Sequence, residues 1–121
     1  MPTIIDIDDN YAVEESTVKI TVSFEDESGE EATPTSINWT LTDVNRTIIN
    51  SRDAVSIVAP ASTVTVVLSG DDLALQVGET GDAVYRYFTV EAVYSSDIGA
   101  DLPLKDQLEF PLKNLVAVPN P

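Results

Sequence analysis

The chain has 121 residues, 43% of them hydrophobic, and carries 21 acidic side chains against six Lys and Arg, a formal charge of −15. That length suits one domain, and the apolar content is too high for a disordered segment. A surface this negative is repelled by phosphate backbones and anionic lipid, so neither nucleic acid nor membrane is an expected partner.

Further exclusions follow from what the chain lacks. It holds no Cys and no His, which removes disulfides, thiolate zinc sites and imidazole acid–base chemistry together. MPTIIDIDDN (1–10) has acids where an export signal needs a basic segment followed by an apolar one. No apolar run approaches the ~20 residues that cross a bilayer. The expectation is a protein made in the cytoplasm that stays there or leaves with an assembly or by lysis.

In chain order, TIIDI (3–7) is a short apolar strand on what reads as an exposed N-terminal arm (1–10). TVKITVSF (17–24) alternates strictly, with Val18, Ile20, Val22 and Phe24 on one face and hydroxyls and Lys19 on the other, the pattern of a half-buried strand. EDESGEEATPT (25–35) is an acidic loop around Gly29. SINWTLT (36–42) repeats the alternation, placing Ile37, Trp39 and Leu41 inward. After a turn at Asp43–Arg46, TIINSR (47–52) reads as a weaker strand. STVTVVLS (62–69) puts Val64, Val66 and Leu68 on one side.

SGDDLALQVGETGD (69–82) suggests a single helical turn, with Ser69 or Asp71 as N-cap for Asp72–Gln76. VYRYFTVEAVY (84–94) carries Val84, Phe88, Val90, Ala92 and Tyr94 on one face, with Arg86 the exception near its start. SSDIGADLPLKD (95–106) reads as the connection to a last strand, QLEFPLKNLV (107–116). Pro111 cannot donate to a ladder, which marks that strand as an edge or a bulge. The segment 114–121 reads as a second exposed arm. About seven strands in one domain spanning 1–121 predict an all-β sandwich of immunoglobulin-like or fibronectin-III-like type without a disulfide.

Trp39 is the only tryptophan and sits mid-strand on an apolar face. In such sandwiches a Trp on the third strand packs between the sheets. Its expected neighbours are Ile20 or Val22 and Val90 or Ala92. Tyr87, with Tyr85 as second choice, is the candidate for a tyrosine that pins the preceding corner through its hydroxyl.

No catalytic set is legible. The carboxylates fall on turns and ends rather than across an aromatic-walled cleft, and a serine nucleophile has no His to activate it. GETG (78–81) lacks the ending and helix of a phosphate loop. No cofactor is expected. Calcium is the chemical alternative, because hard cations take several oxygens from loop tips. Its candidate ligands are Asp6, Asp8, Asp9, Glu25, Asp26 and Glu27, although their spacing is not that of an EF-hand.

Taken as a set, IIDIDDNYAVEEST, TVSFEDESGEEATPTSINWTLTD, TVVLSGDDLAL and YFTVEAVYSSDIGADLPLKDQLEFPL resemble small immunoglobulin-like virion structural proteins of tailed bacteriophages and prophages. The resemblance covers nearly the whole chain. It implies a non-enzymatic role in the virion, capsid decoration or cement first, a head–tail or tail component second. It also implies protein partners such as the major capsid protein, multivalent contact on a lattice, and a homo-oligomer, a trimer being the expectation where lattices have local threefold axes. The contact candidates are Ile4, Ile5 and Ile7 on the N-terminal arm, Leu115, Val116 and Val118 on the C-terminal one, and the 25–31 loop. The same end residues would be ordinary edge-strand positions in a sandwich. The rival function is a carbohydrate- or cell-surface-binding module using exposed Tyr11, Tyr85 or Tyr94. An acidic inhibitor or nucleic-acid mimic is a third.

Overall fold

Strict alternation of β-branched and hydroxyl residues becomes strict alternation of burial. In the computed structural model, which describes residues 3–7 and 10–115, the strands β3 (Thr17–Phe24), β4 (Ser36–Thr42) and β6 (Thr63–Ser69) bury every second side chain. The protein is all-β and forms two sheets. One is antiparallel with order β1-β3-β6, where β1 is Thr3–Ile7. The other has order β2-β8-β7-β4-β5, adding β2 (Ala12–Val13), β5 (Val55–Ser56), β7 (Ala83–Ser96) and β8 (Gly99–Lys113). Between β1 and β2 the chain crosses from the first sheet to the second, where β2 runs parallel to the end of β8.

Ile20, Val22, Trp39, Val90 and Ala92 are all buried in a core shared by the two sheets. Trp39 stands opposite Val90 across the β4–β7 ladder and stacks on Phe88 at 5.4 Å between ring centroids. Burying a side chain of this size contributes on the order of 3 kcal/mol.

Three sequence expectations need correction. Residues 3–7 are not an arm: β1 pairs with β3 from Thr3↔Phe24 to Ile7↔Ile20, and Ile7 is buried. TIINSR (47–52) is not a strand. Arg46, Asn50, Ser51 and Ala54 all have positive φ, which breaks extended backbone, and the segment instead folds over the end of β4. There Ile49 is fully buried, and the segment bonds to that strand through Ile49 N–H to Leu41 O and Leu41 N–H to Arg52 O. Residues 95–106 are not a connection either. β7 and β8 form one long hairpin that turns at Asp97–Ile98, with a register shift between Tyr94 and Ser96.

The expected helical turn is a single 3-10 turn over Gly70–Leu73, where the Ser69 N–H donates to Asp72 Oδ2 at 3.2 Å. At the other end of the chain, the Asn114 N–H donates to Asp82 O and the Leu115 N–H to Glu14 Oε1, so the first residues of the expected C-terminal arm are tied to the domain.

Candidate interaction surface

Of the three buried charged side chains among the described residues, Arg86 and Asp72 are held in ion pairs and Glu14 accepts the Leu115 amide. Arg86, the odd residue on the apolar face of β7, has no exposed surface and makes a two-pronged pair with Glu79. Its Nη1 donates to Glu79 Oε2 at 2.7 Å and its Nη2 to Glu79 Oε1 at 2.6 Å. The Tyr85 and Ala74 carbonyls accept two further bonds from it. Burial opposes ionisation of Glu79, but the bonds from Arg86 and the Gln76 amide outweigh it and hold the carboxyl below its ordinary range.

Asp72 is the second anchor. It is 2% exposed and accepts from Arg52 Nε at 2.7 Å and Asn50 Nδ2 at 2.8 Å. Again burial opposes ionisation, and the bonds from Arg52, Asn50 and Ser69 prevail and lower its pKa. Together the two pairs staple the 69–79 segment to β7 and to the loop after β4.

Seven further acids gather at the opposite end. Glu25, Asp26, Glu27, Glu30 and Glu31 lie on the β3–β4 loop, and Asp97 and Asp101 lie at the β7–β8 turn. Ser96 Oγ donates to Glu27 Oε1 at 2.8 Å and joins the two loops. No Lys or Arg occurs in 20–45 or in 87–104, so the field of this end is uncompensated by local cations. Asp26 shapes the loop: its Oδ1 accepts the Ser28 and Glu30 amides while Gly29, at φ 80°, completes the turn.

The described residues offer no support for the calcium alternative. Among the described residues no group of three or more acidic side chains converges as a metal site would require. Asp26 is occupied in its own turn, Asp6 is exposed on β1 opposite Thr21, and Asp8 and Asp9 lie outside the described residues.

Of the contact candidates, Ile7 is buried and Ile5 packs partly against the core, because both face inward from β1. Leu115 is 41% exposed. Val116 and Val118, and the side chain of Ile4, lie outside what is described. The candidate sugar-stacking tyrosines do not form a row. Tyr94 is buried, in keeping with its place on the apolar face of β7 and against the stacking role, Tyr11 has Lys113 Nζ 3.9 Å over its ring, and Tyr85 is exposed.

Tyr87 does not pin a corner. Its hydroxyl donates to Glu109 Oε2 at 2.6 Å on the outer face of the five-stranded sheet, and Glu109 raises its pKa. Beside it lies an open groove of 430 Å³ lined by Thr42, Val44, Arg46, Tyr87, Thr89 and Gln107. Sequence reasoning missed the Glu79 partner of Arg86. The usable signal was a lone Arg on an apolar strand face, which needs a buried acid.

Comparison with family models, curated proteins and solved structures finds no match to this chain.

Proposed function

We propose that this chain is an immunoglobulin-like structural domain that works by surface contact, in a tailed-phage virion and foremost as a capsid decoration or cement protein. The immunoglobulin-like reading draws on the strand order. β1-β3-β6 facing β8-β7-β4 corresponds to the A-B-E and G-F-C order of that fold, with the tryptophan on the third long strand. The virion role rests on the sequence resemblance.

The observation that carries surface contact over chemistry is the division of charge. Buried Arg86 and Asp72 are spent on internal pairs with Glu79 and Arg52, while seven further acids sit together on the loops at one end. Such an end fits a basic partner surface and speeds encounter with it. The test is co-sedimentation of the purified protein with phage particles lacking it, across a salt series. Saturable, salt-weakened binding is expected; particles that never retain the protein would defeat the reading.

A further inference from the structure

The two longest free edges of the molecule are treated in opposite ways. On β8, the Asn114 amide bonds to Asp82 on the β7 side while the Lys113 carbonyl bonds to Glu14 on the other side. With an unbroken register from Val93↔Pro103 to Ala83↔Lys113, the odd-numbered residues of β8 therefore aim their backbone groups away from the sheet. Pro103 and Pro111 are both odd and bring no donor, and the Gln107 amide is taken by Asp106 Oδ1 at 2.8 Å. Prolines and charged residues at outward positions are how edges are closed to strand addition.

β6 is blocked only at its last residue, where the Ser69 amide is taken by Asp72 Oδ2. The bonds Phe24 N–H to Ser62 O and Gly70 N–H to Ser16 O set its register, so even residues face β3 and odd residues face outward. Among the described residues no strand lies beyond it. The outward backbone of Thr63, Thr65 and Val67 has no proline and no charged side chain, and Val67 is 57% exposed. Of the seven extended residues of β6 five are β-branched, and Thr63, Thr65 and Val67 present an open row of donors and acceptors.

We infer that the β6 edge is a strand-addition site for an extended segment of another protein, with a β-branched centre and Lys or Arg at both ends. Backbone pairing supplies affinity in this mode, and alternate side chains supply selectivity. The charge pattern decides the occupant. Asp71 is exposed just past one end of β6. Glu25 follows Phe24 at the other end, beside the acidic loop. A strand laid between them meets acid at both ends and none in the middle. A second copy of the chain fits badly, since 53–85 contains no Lys or Arg and brings Asp71 and Asp72 instead. The inference stands on backbone geometry and does not need the virion role.

The test uses the full chain. A displayed library of short random peptides is selected against it, and the winners are titrated on the wild type, Thr65→Pro and Val67→Lys. Thr65→Pro deletes only an outward donor and leaves the β3 ladder intact. Val67→Lys keeps every backbone donor, so it covers the case in which the proline variant fails to fold. The expected winners have β-branched centres and basic ends, slow amide exchange at Thr63, Thr65 and Val67, and bind Thr65→Pro roughly tenfold or more weakly, the size expected from losing one or two good bonds; they also bind Val67→Lys more weakly than wild type, because an exposed Lys on an edge strand opposes strand addition. Peptides that bind both variants as well as wild type would overturn the inference. So would failure to select any binder, or a self-associated chain in which those same amides are protected, which would make the occupant a second copy.

Discussion

Removing the acid from the Arg86–Glu79 pair tests most sharply whether buried charge holds this fold together. Arg86 has no exposed surface, and Glu79 gives it both of its charge-assisted bonds, leaving two carbonyl contacts at 3.1 and 3.3 Å. Glu79→Ala strands a cation where water does not reach, a change that costs about 3–5 kcal/mol. For a domain of this size, at about 4 °C per kcal/mol, the melting midpoint falls by roughly 12–20 °C.

Arg86→Met behaves differently. It removes the buried charge and leaves Glu79, whose side chain is 20% exposed, able to take up water, for a loss of about 1–3 kcal/mol. Differential scanning calorimetry on the two variants and their combination reads the contrast, and the double variant should be less damaged than Glu79→Ala alone. A Glu79→Ala midpoint within about 4 °C of wild type, or an Arg86→Met variant worse than Glu79→Ala, would refute the reasoning.

The acids also set a pH window. Glu79 and Asp72 are held below their ordinary values of 4.5 and 3.8, so each contributes stability that is present above those values and lost as pH falls through the folded-state ones. Urea midpoints should therefore drop steeply below about pH 4.5 in the wild type, and less steeply in a Glu79→Gln, Asp72→Asn double variant measured over the same range. Trp39→Ala, which empties the space against Phe88, should cost about 3–5 kcal/mol by chemical denaturation; a midpoint that barely moves would remove Trp39 from the core. Arg52→Ala should destabilise by about 1–3 kcal/mol through the buried Asp72 it leaves behind, whereas Lys105→Ala, whose pair with Glu91 is exposed, should change the midpoint by less than about 1 kcal/mol.

The strands legible in the sequence are those with one dry face and one wet one. β3, β4 and β6 match the alternation almost residue for residue, because each lies on a sheet with a single buried side. The first half of β8 was not legible for the converse reason. From Gly99 to Lys105 only Leu104 is buried, and Pro103 argues against a strand unless its edge position is already known. TIINSR misled because the two isoleucines look like strand residues, while the positive φ of Asn50 and Ser51 is a property of the folded loop. Periodicity marks Arg86 as out of place on its strand face but does not name its partner. Arg86 and Glu79 are joined across a turn, and nothing in their spacing marks them as partners. The acidic end was visible only as composition, since bringing the 25–31 loop to the tip of the β7–β8 hairpin requires the long register of β7 on β8.

The most direct measurement of the central proposal, a contact-making virion domain, is cryo-microscopy of purified particles of a phage that encodes this chain. The expected result is density for the two-sheet domain on the particle exterior, with its acidic end or its β6 edge against a neighbouring subunit. Complete particles from which the chain is absent, by density and by mass spectrometry, would contradict it.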